Sequence, residues 1–597
     1  MSHLRSLSLG IALALSAGAV CLMYPTPADS AVNRAAEEPP EPSGFELTPP
    51  ALEAISITPT PQSQEGDALL QFKYVKGQDL PADIPINVDD KQVKLVRDDK
   101  DPQLYRAAIP FDFEGFIKEQ EERKRSADEK DTAPQFDGRL MLADETVRFL
   151  DPEQLRKQVA SGLTIQVPIH IIFGPLRRVR PERSLMVVAP SVVEDPIRTF
   201  DVCTGAGNPN GAWTFNRLMT NMANQPVTGV NPSDFVENWL RTWGTSTTVN
   251  TFPVNARSQV ITQVLNTWPR LSNGKLDLTL APLRLLGIVN RVDLRTNSVY
   301  GGGSAGEGRF VFGVIRRNSN GSCTTHRFTV ILEYGVPING CPAVRSYAQQ
   351  WGNLGTMVLG SPAYNSALQA ITDQFTSANA APNKPNRSAI NQIRTNEFLQ
   401  SPWELREFNI VRGANQLSIV SPKQTPFNTF NTPPVTSNLL ATFINNNQAA
   451  VLAETHNVPL SYLGTPFRAG AVPNPLPQKT WQHPLIANND ARNKFAVNTC
   501  DACHGKETLT GSFLHVAPRA SGAQAALSQF LIGNQPGASV ATPNQYSIPD
   551  GVIGSVTRNY GGDLRRRQTD LSALQNSTCR AGAIFQEAHF LPLAATH

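Results

Sequence analysis

"LRLLGIVNRVDL" (283–294) is the stretch on which the fold of the chain turns. It is a short, mostly apolar run, and two like it follow: "RFVFGVI" (309–315) and "RFTVILEY" (327–334). Runs of this kind read as strands buried in a core. Helical patterns surround them, in "FVENWLRTW" (235–243), "ARSQVITQVLNTW" (256–268) and "SPAYNSALQAITDQF" (361–375). In the last, Tyr364, Leu368, Ile371 and Phe375 share one helix face. Ser361 can cap that helix and Pro362 suits its first turn. "AAPNKPNRS" (380–388) then breaks the chain. Residues 195–485 are therefore expected to form one α+β domain with a sizeable core.

Residues 51–180 read as β-rich. "LLQFKYV" (69–75) puts Leu70, Phe72 and Tyr74 on one face and Gln71 and Lys73 on the other. "LTIQVPIHII" (163–172) aligns Leu163, Ile165, Val167, Ile169 and Ile171, with Pro168 marking an edge strand and His170 on the opposite, solvated face. The charge run "FIKEQEERKRSADEKDTAP" (116–134) between them reads as a solvated helix or an exposed loop. A β-sandwich-like domain is expected here.

The N-terminus reads as a secretory signal peptide: Arg5, an uncharged apolar run over 7–23, then Ala28 and Ser30 as small residues before cleavage after Ser30. Val20 ahead of Cys21 argues against a lipoprotein site. Residues 31–50 are acidic and Pro-rich, an extended tether. No later segment is apolar for long enough to span a bilayer, so no integral membrane segment is expected after cleavage. A net charge of +3 over 597 residues implies no nucleic-acid partner. Export permits disulfides. Beyond the signal the cysteines are Cys203, Cys323, Cys341, Cys500, Cys503 and Cys579. Cys323 and Cys341 could close a local loop, leaving Cys203 and Cys579.

"GGGSAGEG" (301–308) contains both G-x-G-x-x-G and G-x-S-x-G. Either motif must open a helix to do its chemistry. A strand pattern follows instead, so the stretch reads as a hairpin loop.

The chemistry concentrates in "NTCDACHGKE" (498–507). Cys500, Cys503 and His504 have the spacing of covalent haem attachment. Two thiols add across two vinyl groups, and the histidine turns its imidazole to the iron as proximal ligand. "NNDARNKFAVNT" (488–499) reads as a helix, with Asp490 as cap and Phe495 offering an aromatic surface near the ring. Ala502 is small, and Gly505 lets the chain leave close to the macrocycle. Other readings exist. A thiol–disulfide redox site expects a strand before C-x-x-C, not a helix. Structural zinc needs four ligands, which Cys500, Cys503, His504 and His515 could supply. A five-residue pattern also occurs by chance.

"CDACHG" (500–505) resembles c-type cytochromes, specifically over those residues and weakly over the last hundred. "SAGEGRFVFG" (304–313) and "FTVILEYGVP" (328–337) are similar to large exported proteins of Gram-negative bacteria that end in such a motif. The resemblance implies one covalent haem c and a mainly α, cytochrome c-like domain over 486–597. It also implies periplasmic or cell-surface localisation, electron transfer and an unidentified redox partner. Many cytochromes use a distal methionine, but no methionine follows Met357. His515 is the candidate distal ligand, with His483, His589 and an open position as alternatives. Arg519 could pair with a haem propionate. The segment 559–585 supplies a closing helix, entered through Gly561 and Gly562, with Leu571 and Leu574 inward and Arg565, Arg566 and Arg567 solvating its start. No acid/base pair marks the chain as an enzyme. The competing reading is a non-redox surface-binding or structural protein, with Cys500 and Cys503 in a disulfide.

Overall fold

The structure is a computed structural model. It describes five strands within residues 52–110 together with residues 98–101, a further strand at 165–166, and residues 179–576 apart from 297–303, 319, 432–436, 475–478 and 511–513. The signal and tether, the charge run 116–134, Pro168, His170, Cys579 and His589 lie outside the described residues.

The N-terminal strands are β1 (Leu52–Pro59), β2 (Asp67–Tyr74), β3 (Asp83–Val88), β4 (Lys91–Arg97), β5 (Leu104–Pro110) and β6 (Ile165–Gln166). They form one antiparallel sheet in the order β3-β4-β5-β2-β1-β6. The expected strand at 69–75 is β2. Among the described residues of this region there is one sheet, not the two layers of a sandwich.

The central region is built on a large antiparallel sheet. Its strands are β7 (Met186–Val187), β8 (Leu283–Arg291), β9 (Glu307–Arg317), β10 (Cys323–Gly335), β11 (Ile390–Glu397), β12 (Trp403–Val411) and β13 (Gln416–Val420). Spatial order follows β7 to β13, and β14 (Val472–Asn474) adds to β12. The three quoted runs are thus β8, β9 and β10, adjacent as expected. The glycine stretch leads from β8 into its hairpin partner β9, and no helix opens from it.

Successive side chains on a strand point to opposite faces. On one face, Phe310, Leu332, Ile393 and Phe408 stand side by side across β9 to β12. Helices α1 (Phe215–Ala223), α2 (Pro232–Arg241) and α4 (Pro362–Thr376) cover this row, and α3 (Cys341–Leu354) packs against α4. Trp239 of α2 meets Phe408 edge-on, and Phe375 of α4 packs on Phe310 and Tyr334. Gly308 permits that approach, since a Cβ there would sit 2.2 Å from the Phe375 ring. The α4 reading holds in detail. The Ser361 hydroxyl accepts from the Tyr364 N–H, and Tyr364, Leu368, Ile371 and Phe375 are buried.

The opposite face is also buried, and it is charged. Arg309 stands opposite Glu333, and Arg394 opposite Glu407. An antiparallel sheet ordinarily leaves such a face to water. Here the C-terminal segment covers it. Val497, Cys503, Val516, Phe530, Tyr560, Leu571 and Leu574 belong to the same hydrophobic cluster as the sheet and its helices. The described part of 486–576 is less helical than expected. It holds α5 (Asn489–Val497), the single turn α6 (Cys500–Cys503), a four-residue helix, a small hairpin and α7 (Asp563–Asn576). Gly561 and Gly562, at φ 67° and 79°, turn into α7. Among the described residues no helix is long and apolar enough to cross a membrane.

The disulfide differs from expectation. Cys203 pairs with Cys323, and Cys341 is bonded elsewhere. Cys323 opens β10 at the sheet's far end, while Cys341 opens α3 after the whole strand has intervened. The strand's extension carries the two apart. The Cys203–Cys323 bond spans 120 residues, a closure worth about 4–5 kcal/mol by chain entropy. Non-reducing peptide mapping should return a linked Cys203–Cys323 peptide. Cys203→Ala should lower the unfolding free energy by about 2–5 kcal/mol in denaturant titrations. A linked Cys323–Cys341 peptide would contradict this topology.

Candidate functional site

The helix expected before the motif is α5. Its cap is Asn488, whose side chain accepts from the N–H groups of Asp490 and Ala491. Asp490 is instead one residue inside the helix and pairs with Arg558 at 2.7 Å. Phe495 packs among Phe443, His456 and Trp481 in a separate aromatic cluster rather than beside His504.

Charged contacts pin the chain on both sides of the motif. Arg492 of α5 holds Asp550 through two bonds of 2.9 and 3.0 Å and also holds Glu507. Burial opposes ionisation of Asp550, but the N–H groups of Ile553 and Val552, with Arg558 and Arg492, bring it down to about 2. The turn α6 then places both thiols inside the fold. The Cys500 N–H donates to Thr425 Oγ1 at 2.9 Å, and Cys503 joins the main core. Neither is in a disulfide. Burial pushes the Cys500 thiol up to about 11.

His504 follows directly. Its ring stacks on the Trp403 indole of β12, with centroids 5.1 Å apart. On another side it meets the His515 ring edge-on at 4.4 Å. His515 is oriented by a 2.7 Å hydrogen bond between Nδ1 and Ser528 Oγ, and its Nε2 lies 3.7 Å from Cys503 Sγ. Burial, and then the neighbouring His504, hold His515 well below the usual imidazole range. It is neutral near pH 7 and carries a lone pair that a metal can use. The structure therefore brings Cys503, His504 and His515 together. His483 is engaged elsewhere, its Nδ1 accepting from the Leu485 N–H at 3.1 Å.

A cavity opens beside the two histidines. Its volume is about 80 Å³, well short of the roughly 300–1,000 Å³ of small-molecule and cofactor sites. The C-terminal segment contributes His504, His515 and Arg567, and the charged face of the sheet contributes Arg291, Arg309 and Arg394. These sheet arginines are paired: Arg291 with Asp293, Arg309 with Glu307 and Glu333, and Arg394 with Glu407 and Glu333.

Two arginine readings are corrected. Arg519 does not line this cavity. It is saturated by Glu194 and by the carbonyls of Leu285, Ala520 and Ala523. The start of α7 is not simply solvated. Arg565 is exposed, but Arg566 is mostly buried and Arg567 almost wholly so. Residues three and four apart share a helix face, and that face of α7 (Arg567, Leu571, Leu574) is turned to the core. The sheet arginines and Trp403 were missed from sequence. For the arginines, the signal was polar side chains recurring at alternate strand positions, as with Gln392, Arg394 and Asn396.

Among the described residues, no group of three or more His, Cys, Asp or Glu is arranged to hold a metal ion. Haem asks the protein for one or two axial side chains rather than a full ligand set. No family model matches the chain, and neither do curated proteins or solved structures.

Asp501 makes the site pH-sensitive in its stability. Its carboxylate is buried and accepts from Trp481 Nε1 and the Ala502 N–H. Burial raises it to about 6. Between about pH 4, where an unfolded Asp titrates, and about 6, the folded state keeps a proton that the unfolded chain has lost. Stability therefore falls as pH rises through that window. Asp501→Asn should be more stable than the native chain at pH 7 by about 1–3 kcal/mol, with the gap closing towards pH 4. Urea titrations at the two pH values measure it.

Proposed function

We propose that the chain is an exported protein carrying one covalently attached haem c, and that its role is electron transfer in the periplasm or at the surface of a Gram-negative bacterium. The observation that carries this reading is the seat of His504. The residue that a C-x-x-C-H motif assigns to iron lies at the edge of a small cavity between the charged face of the sheet and the C-terminal segment, with a second imidazole, His515, beside it.

Other features support the reading. Neither Cys500 nor Cys503 is in a disulfide, while Cys203, Cys323 and Cys341 are. A redox-active C-x-x-C has a depressed thiol pKa, whereas Cys500 is pushed up to about 11 by burial.

The residues divide the work. Cys500 and Cys503 would anchor the cofactor as thioethers, and His504 would be its proximal ligand. His515 would be the distal ligand, with its Nδ1 held against Ser528 Oγ. Trp403 fixes the plane of the His504 ring. The sheet face and the apolar residues around it exclude bulk water. Bound haem would supply one-electron exchange between ferric and ferrous iron. The finer description, a cytochrome c-like domain over 486–597 in a multidomain chain, belongs to this proposal.

Expression with the signal peptide, in a bacterium with a cytochrome c maturation system, tests it. The peptide spanning Cys500 to Lys506 should carry the mass of haem. Cys500→Ser with Cys503→Ser should abolish the adduct. A bare peptide from the native chain would favour the surface-binding alternative. If His515 is the distal ligand, carbon monoxide should bind the reduced native protein slowly, by displacing it. In His515→Ala it should bind in one fast phase.

A further inference from the structure

We propose that the side chains of Lys384 and Asn391 react with each other to form an intramolecular isopeptide bond, with Glu307 as the catalytic acid/base. The inference is independent of the haem reading.

The three side chains meet at one end of the central sheet, where β9 begins, β10 ends and β11 begins. Lys384 Nζ lies 2.5 Å from Asn391 Oδ1, inside the usual 2.7–3.2 Å of such contacts. On the other side of the same amide, Asn391 Nδ2 donates to Glu307 Oε1 at 2.8 Å. A donor on the oxygen and an acceptor on the nitrogen fix which way the amide faces. Amine, amide and carboxylate therefore stand in the order that transfer of the acyl group requires.

Local structure puts each group there. Tyr334 pairs with Ile390 and Glu333 with Gln392, so Asn391 is the extra residue of a bulge in β11. A bulge leaves its residue out of the ladder and re-aims the side chain. Gly335 of β10 leaves room for the amide, since a Cβ there would sit 2.6 Å from Asn391 Oδ1. Glu307 pairs with Gly335 across β9 and β10, which brings its carboxylate alongside. Lys384 comes from the break between α4 and β11. Asn386 and Arg387, at φ 53° and 52°, turn that segment, and Nζ returns to the Ala389 carbonyl at 3.1 Å.

The charges suit a nucleophilic amine. Glu307 is fully buried, and its Oε2 is taken by Arg309 at 3.1 and 2.8 Å, so Lys384 is not required there as a counter-ion. Burial lowers the Lys384 pKa, the charge of Glu307 opposes that, and Lys423 lowers it further, for a net downward shift. A desolvated lysine beside another cation is an activated nucleophile.

The neutral amine attacks Cγ of Asn391. The Nζ–Cγ bond forms and the carbonyl pair moves to Oδ1. Glu307 takes a proton from Nζ and passes it to Nδ2. The pair on Oδ1 returns, the Cγ–Nδ2 bond breaks and ammonia leaves. Nothing is oxidised or reduced, and no co-reactant is consumed. Held in contact, the two groups react without the entropy cost of meeting.

A tryptic digest of the reduced and alkylated full-length protein tests the bond. Trypsin cuts after Arg387, between the two residues, and not between Lys384 and Pro385. An unlinked chain releases residues 388–394 as a separate peptide, whereas a linked one leaves them joined to 346–387. The native protein should give the joined species, lighter by one ammonia than the two peptides together. Fragmentation should place the branch at Lys384 and Asn391. Lys384→Arg should release 388–394 at its unmodified mass, and Glu307→Gln should do the same. If Glu307→Gln still links, the catalytic role of Glu307 is wrong while the bond stands. A native digest that returns 388–394 free, unmodified or with Asn391 cyclised on its own backbone, overturns the proposal. Should a variant fail to fold, the native digest alone decides.

Discussion

Charge on the inner face of the central sheet sets the terms for the rest of the molecule. Guanidinium and carboxylate groups leave water only if each finds a partner. The strand register provides most of them, placing Arg309 against Glu333 and Arg394 against Glu407. Lys423 then reaches in to Glu407 at 2.7 Å and Gln392 at 2.9 Å. Such pairs add little net stability compared with an apolar core, but removing one member strands the other at a penalty of about 3–5 kcal/mol. The face therefore resists substitution even where it touches no ligand. It also has to be roofed, and the segment bearing Cys500, Cys503 and His504 is the roof.

That arrangement gives a reason for the length of chain around one short motif. The motif's histidine is held between a tryptophan on strand β12 and a second histidine in the segment that follows. The cavity beside it takes its walls from six strands of the sheet, from helix α7 and from the segment around His504 and His515. The C-terminal segment shares its hydrophobic cluster with the sheet.

Much of the apolar half of this design was legible in the sequence. Helix α4 shows its cap, its proline and its buried stripe in fifteen residues. Strands β8, β9 and β10 are apolar enough to mark themselves. Local rules suffice where one element's own spacing decides the outcome. They failed where a distant partner decides. Arg567 looks like one of three surface arginines until α7 is laid against the core. Arg519 looks free until Glu194 and the carbonyl of Leu285 arrive from more than two hundred residues away. The disulfide was misjudged for the same reason, since sequence proximity favoured Cys341 while sheet geometry delivers Cys203 to Cys323. The Asp490 cap failed more modestly, by two positions.

The long reach of these contacts also sets an order of events. Arg295 meets Asp570 across 275 residues, and Arg284 meets the Arg519 carbonyl across 235. Contacts so remote in sequence form slowly, after most of the chain has been released and collapsed. Once they form, Cys500 and Cys503 are sealed at 2 % and 0 % exposure. Any enzyme that modifies these thiols has to act on the unclosed chain. Folding is thus a clock for modification, and the slow formation of these remote contacts lengthens the interval in which the motif stays within reach.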